Sequence, residues 1–208
     1  MWDFLVKGGP LMGIILVCSV IAFGVFIERL IALHKARINT EKFVEDISGL
    51  IKRNKIMEAL DKCNTTPGPV ARLMKMGILK HDRTREEIRE AINDAASHEV
   101  ALLEKNISIL ATIAHIAPLL GLLGTVVGMI KSFQVIEGKA AGMIPVNPGD
   151  LAGGIWEALV ATAAGLCVAI PTYVAYNCLV NKVDGFVLEM EKSAIELVNI
   201  LSLKRDVK

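Results

Sequence analysis

Ala117 to Gly128 reads APLLGLLGTVVG, within a run from Ile107 to Ile130 whose only ionisable side chain is His115. As a helix rising 1.5 Å per residue, that run reaches about 36 Å, enough to cross a hydrocarbon core of about 30 Å. It is not a uniform apolar anchor. Its glycines, a proline and Thr125 are spaced to share one side of a helix, as in a helix packed tightly around something.

Two further apolar blocks flank this one. Leu11 to Ile27 carries no charge, and Leu30, Ile31 and Leu33 continue it past Glu28-Arg29. Met1-Trp2-Asp3 supplies no basic start and GVFIERLIAL no obvious cleavage site, so the first block is read as a retained membrane helix rather than a signal peptide. Ala158 to Val180 is also uncharged, preceded by Trp156 and Glu157. Three crossings follow. A mean hydropathy of +0.50 beside 22% charged residues fits this segregation of apolar spans from charged connections.

The bulk chemistry excludes several classes. A net charge of +1 gives no argument for nucleic acid. Cys18, Cys167 and Cys178 lie in apolar runs and Cys63 stands alone, with no CxxC pair, so neither metal nor disulfide is expected. HExxH is absent and Ser19 has no ionisable neighbour, so the chain is not read as an enzyme and no cofactor is expected.

Charge sets the orientation. Glu28 to Lys105 holds 15 of the 23 Lys and Arg residues, while Lys131 to Asp150 holds only Lys131 and Lys139. Arg29, Lys35 and Arg37 follow the first span, Lys105 precedes the second and Lys182 follows the third; only Lys7 precedes the first. The positive-inside rule then puts the N-terminus outside and the C-terminus in the cytoplasm, with Trp2 and Phe4 at the outer interface. The expected organisation is an outer-side segment 1–10, transmembrane helix 11–33, cytoplasmic helical region 34–106, transmembrane helix 107–130, outer-side loop 131–150, transmembrane helix 151–180 and cytoplasmic C-terminal helix 181–208.

The cytoplasmic parts also read as helices. Thr84-Arg-Glu-Glu87 is a capping-box pattern, and Ile88, Ile92, Ala95, Glu99, Leu102 and Leu103 follow at helical spacing into the second span. Glu41 to Cys63 is an amphipathic stretch with Phe43, Val44, Ile47, Leu50 and Ile51 on one face. CNTTPGP, Cys63 to Pro69, breaks it. After the third span Val183, Phe186, Val187, Met190, Ala194, Leu197 and Leu201 continue an apolar stripe. These segments predict a helical bundle that lengthens the membrane helices.

At 100° per residue, Ala111, Ala114, Pro118, Gly121 and Gly128 fall within about 60° of Thr125. Around Thr162, Ala158, Gly165, Ala169, Tyr173 and Tyr176 do the same. Each inner span therefore presents a narrow face of mostly small residues bearing one threonine. Such faces serve close helix packing, with the hydroxyl bonded to its own helix, or they surround a central element. With the spans running in opposite directions, Thr125 and Thr162 lie about five and six residues below the outer end, roughly one level. A hydroxyl layer between apolar walls can solvate an ion or hydrogen-bond an ionisable group.

Glu157 is the sole carboxylate adjoining a span on the outer side. A charge at mid-bilayer costs at least ~3 kcal/mol, which marks such residues as functional; beside Trp156 at the mouth it is equally open to solvation. It points about 140° from Thr162 on an ideal helix. It therefore faces a contact between subunits or starts an irregular helix. His115, about 15 Å along the axis from Thr125, is either a proton relay or a neutral side chain bonded to a neighbouring helix.

APLLGLLGTVVG, then EALVATAAGLCVAIP from Glu157 to Pro171, then Tyr176-Asn177, resembles the signature of the MotA/TolQ/ExbB proton-channel family. Three spans with an early cytoplasmic insertion resemble its ExbB/TolQ branch; the flagellar stator branch has four. The resemblance implies an all-α membrane protein forming a ring-shaped homopentamer in the bacterial inner membrane. Its second and third spans would enclose a dimer of an ExbD/TolR-like single-span partner carrying a membrane Asp, with a TonB/TolA-like energy transducer beyond. It implies ion-pathway roles for Thr125, Thr162 and Glu157. Pro118, Gly121, Gly128, Ala158, Gly165, Ala169 and Tyr173 would pack the pore or partner. His115 departs from the branch, where a small polar residue is more usual, and is the candidate relay. The implied function is a proton-motive-force-driven motor subunit coupling ion flow to work on envelope proteins, as in biopolymer transport. A non-conducting membrane scaffold and a sodium-driven motor stand as alternatives.

Overall fold

The structure is a computed structural model that describes residues 9–206, with side chains to residue 202. Trp2, Phe4 and Lys7, expected near the outer interface, lie outside the described residues. Every regular element among the described residues is an α-helix: α1 Gly9–Ala36, α2 Thr40–Lys52, α3 Ile56–Thr65, α4 Pro69–Leu79, α5 Arg85–Glu104, α6 Ile107–Ala141 and α7 Pro148–Asp206.

Three stretches, beginning at Gly9, Ile107 and Pro148, are long and apolar enough to cross a membrane. Their most apolar windows have mean hydropathies of 2.6, 2.0 and 1.8, yet only 17%, 33% and 33% of each window is buried. Phe23, Leu119, Leu159 and Ile170 are each more than 60% exposed. Helices apolar all round are stable in lipid or a protein core, and these carry their greasy surface outward. The chain is an all-α membrane protein.

Two units divide the chain. The first comprises Met1–Ile27 and Asn106–Asn177, and so holds the start of α1, α6 and the first part of α7. The second comprises Glu28–Lys105 and Cys178–Lys208.

In the second unit, amphipathic faces make the core. Phe43, Val44, Ile47 and Ile51 of α2, Ile88 and Ile92 of α5, and Val183, Met190, Leu197 and Leu201 of α7 are buried at the expected spacing. Gly77 of α4 is buried where a Cβ would lie 2.6 Å from Leu197 Cδ2 and 2.8 Å from Ile92 Cδ1, so glycine there lets three helices meet. Glu99, which shares the α5 stripe with apolar residues, is buried because Arg72 grips it with two charge-assisted bonds, Nε–Oε1 2.6 Å and Nη2–Oε2 2.5 Å. Thr40 donates to Glu189 at 2.5 Å and Ser48 to Glu196 at 3.3 Å, tying α2 to α7. The capping box is formed in both directions: Glu87 N–H donates to Thr84 Oγ1 at 3.2 Å and Thr84 N–H to Glu87 Oε2 at 2.9 Å. That backbone bond holds the Glu87 carboxyl below its ordinary range.

Three boundaries differ from the sequence reading. The stretch Glu41 to Cys63 divides into α2 and α3, because Asn54 takes a left-handed conformation at φ 63 and Lys55 N–H bonds Leu50 O at 3.0 Å. Asn is one of few non-glycine residues that adopt this cap without large cost. A second left-handed asparagine, Asn106 at φ 63, separates α5 from α6, so the α5 stripe does not run unbroken into the second span. At the far end α6 continues past Ile130 to Ala141, since nothing in KSFQVIEGKAA forbids a helix, and the connection to α7 shrinks to residues 142–147.

Candidate ion pathway

Within the first unit, α6 and α7 lie antiparallel along a seam of small residues. A Cβ added to Gly165 would stand 2.5 Å from Ala117 O, one on Gly121 3.0 Å from Ala161 O, and one on Gly128 2.6 Å from Gly154 O. Gly124 meets the Ala161 methyl in the same way. Ser132 closes the row, donating to Gly128 O at 3.2 Å and Leu151 O at 3.4 Å. Backbones approach this closely in membranes only where side chains vanish. Gly121, Gly128, Ala158 and Gly165, singled out as a pore-facing set, are thus brought together between two helices of one chain.

The phase of the seam is what the sequence reading missed. Leu110, Ala114, Ala117, Gly121, Gly124 and Gly128 recur every three or four residues on α6 and are all buried. Gly154, Ala158, Ala161 and Gly165 answer on α7. The repeat is heptad-like, and that periodicity was the available signal for Gly124 and Ala161. Each threonine directly follows a seam residue, Thr125 after Gly124 and Thr162 after Ala161, so both stand at its edge and are half-buried.

Both hydroxyls are committed as donors. Thr125 Oγ1 donates to Leu122 O of its own helix at 2.6 Å, and Thr162 Oγ1 crosses to Gly121 O at 3.0 Å. Carbonyl oxygens only accept, so each hydroxyl proton is spent and each oxygen presents lone pairs to its surroundings. The acceptors of the two hydroxyls, Leu122 O and Gly121 O, are successive carbonyls of α6, about 1.5 Å apart along its axis, so the two hydroxyls belong to one level of the seam. Such a pair can accept a hydrogen bond from a protonated carboxyl or contribute to a cation's shell. It cannot donate to a carboxylate without giving up a backbone bond.

Glu157 sits farther along the seam, toward the 142–147 connection. Its Oε1 meets Lys131 Nζ at 2.5 Å, and its side chain is 19% exposed against 45% for the lysine. Gly9, at φ +68, lies so close that a Cβ there would overlap Glu157 Oε1. Lys139 pairs with Asp150 at 2.6 Å at the same end. Lys131 went unnoticed as a site residue; the signal was a lone opposite charge flanking each of two antiparallel spans.

The remaining candidates are dispersed. His115 is exposed on α6, with Nδ1 2.7 Å from Ala111 O of its own helix rather than bonded to a neighbour. The carbonyl fixes Nδ1 as the donor, leaving Nε2 as an acceptor. Ala169 is buried, Pro118 half-buried inside α6, and Tyr173 is 52% exposed.

The chain is similar to known proteins. The family described as the MotA/TolQ/ExbB proton channel family matches residues 65–192. The chain is similar to the Tol-Pal system protein TolQ of Haemophilus influenzae, 30% identical over 195 residues, covering 88% of this chain and 83% of that protein. It is 30% identical over 200 residues to the biopolymer transport protein ExbB of Pseudomonas putida, covering 91% of this chain and 58% of that protein. An ExbB homolog of Methanothermobacter thermautotrophicus is 26% identical over 186 residues, covering 89% and 64%. The chain spans less than two thirds of the length of these last two.

Proposed function

The chain belongs to the MotA/TolQ/ExbB proton channel family, in its ExbB/TolQ branch, and from that premise we propose that it is the ring-forming subunit of an ion-driven motor. Five copies enclose the two single-span helices of an ExbD/TolR-like partner, each with an Asp in the membrane. The assembly sits in the bacterial inner membrane, with the N-terminus and the 142–147 connection outside and the second unit in the cytoplasm. Through a TonB/TolA-like transducer it works on envelope proteins.

What carries this reading is the pair of acceptor hydroxyls at the seam's edge, Thr125 and Thr162. An ionised Asp in a bilayer core is costly, whereas a protonated one needs only an acceptor for its O–H. A proton entering past Glu157 protonates the partner's Asp at the threonine layer, where the oxygen lone pairs hold the neutral acid. The neutral side chain then moves along apolar walls and releases its proton on the cytoplasmic side. His115, on the cytoplasmic half of α6, takes that proton on Nε2 while Nδ1 keeps its bond to Ala111 O. Each charge that crosses supplies about 2.3 kcal/mol per 100 mV. Five-fold surroundings cannot satisfy two Asp residues equally, which biases the partner helices toward stepwise rotation.

Proton flux into liposomes, with the complex purified with and without its partner, tests the proposal. Voltage-driven flux that requires the partner is expected. Complexes that assemble fully yet pass no protons under any voltage would make the chain a structural scaffold.

A further inference from the structure

The Lys131–Glu157 pair has a polarity. Its carboxylate is largely covered and backed by the α1 main chain at Gly9, and its ammonium is the more exposed member. Because Gly128 lies against both Gly154 and Ala158, Lys131 is rooted nearer the 142–147 connection than Glu157. The neighbouring pair, Lys139 with Asp150, is likewise charge-compensated. Among the described residues no group of three His, Cys, Asp or Glu side chains is arranged to hold a metal ion.

We propose that Lys131 is a specificity-determining residue that makes the outer mouth pass protons and reject sodium. The inference rests on the motor reading above and adds the residue that discriminates between ions. Sodium arrives hydrated with a fixed positive charge, and sheds water only against several oxygen ligands or an uncompensated negative field. At this mouth it meets an ammonium group first, and behind it a carboxylate whose charge that ammonium cancels. A proton has no such requirement. It passes along hydrogen-bonded water and needs no shell of oxygen ligands to replace its hydration, so a charge-compensated pair at the entrance obstructs it less. Removing the ammonium would leave Glu157 bare at the entrance, the arrangement that concentrates small cations.

The test uses the complete complex with its partner in liposomes, recording current and radioactive sodium uptake with sodium or potassium outside. The wild type is expected to carry a proton current unchanged by the swap. Lys131→Gln should gain sodium uptake, with the sodium-to-proton permeability ratio rising about tenfold, as expected of an uncompensated carboxylate in a narrow mouth. Lys131→Arg, which keeps the charge, should still exclude sodium. Sodium uptake by the wild type, or a Lys131→Gln complex as indifferent to sodium as the wild type, would overturn the assignment while leaving the motor intact. Absence of any partner-dependent current in the wild type would instead remove the motor reading beneath it.

Should Lys131→Gln fail to assemble, Glu157→Gln examines the same field from the other side. It leaves the ammonium uncompensated, so proton flux should fall about tenfold at about 0.01 M salt and recover at about 1 M, where the Debye length shrinks from ~30 Å to ~3 Å. A Glu157→Gln complex whose flux responds to salt as the wild type does would also overturn it.

Discussion

Thr162 of α7 donates its hydroxyl proton to the main-chain carbonyl of Gly121 on α6, across 3.0 Å, where no side chain separates the two helices. One contact therefore does two things. It fastens the glycine-lined α6–α7 seam, and it turns the threonine oxygen into an acceptor for whatever stands beside it.

That double role makes Thr162→Val informative. Valine keeps the volume and removes the oxygen, and a net hydrogen bond is worth only about 1 kcal/mol. The variant should assemble normally and lose voltage-driven proton flux to background, while Thr162→Ser keeps most of it. Flux through Thr162→Val at wild-type level would reduce the hydroxyl layer to packing.

The seam itself can be probed by adding one methyl group. On Gly128, a Cβ would stand 2.6 Å from Gly154 O and 2.9 Å from Ala158 Cβ, so Gly128→Ala must push backbones apart. A loss of roughly 1–3 kcal/mol is expected, read as a lower thermal midpoint in detergent. Gly138→Ala in the same helix meets nothing within 4 Å and should be neutral or slightly stabilising.

In the second unit the fork between Arg72 and Glu99 joins α4 to α5. The Glu99 side chain is 7% exposed but that of Arg72 is 53%, so solvent screens the pair from one side. Arg72→Leu strands a buried carboxylate and should cost roughly 2 kcal/mol, less than a fully buried pair loses. Arg72→Leu/Glu99→Leu should recover most of that in thermal unfolding, because no charge is then left buried.

Cys63 reports on the integrity of the same unit. Burial pushes its thiol from 9.0 up to about 11, so the folded state favours the neutral form. The stabilisation this gives is fully present below pH 9 and is lost as pH rises through about 11. A water-soluble maleimide should leave Cys63 unmodified in folded protein at neutral pH and label it on unfolding. Rapid labelling without unfolding would contradict its burial.

Much of this architecture was legible before any coordinates. Apolar runs such as Ile107 to Ile130 can be read as spans because a bilayer imposes a length and forbids charge. Thr84 and Glu87 could be read as a cap because the box needs only residues three apart. The α6–α7 seam was half legible: Ala114, Gly121 and Gly128 were visible as small residues on one side, but centring the face on Thr125 left out Ala117 and Gly124, which pack against α7 in the same row. Helical angles give relative positions around an axis, not which direction a neighbour approaches from. The break at Asn54 was hidden because its signal is a single residue that tolerates positive φ among residues that do not demand it.

What the amino-acid order determined alone is whatever depends on neighbours along the chain: three apolar spans, the capping box that starts α5, and a pair of threonine-bearing faces. What only the tertiary structure decided is whatever depends on register between distant segments. Lys131 and Glu157 are 26 residues apart, and nothing local pairs them; the antiparallel seam brings them within reach, so that a half-exposed ammonium covers a mostly buried carboxylate. The same register aims the Thr162 proton at Gly121 O and so leaves its oxygen free to accept.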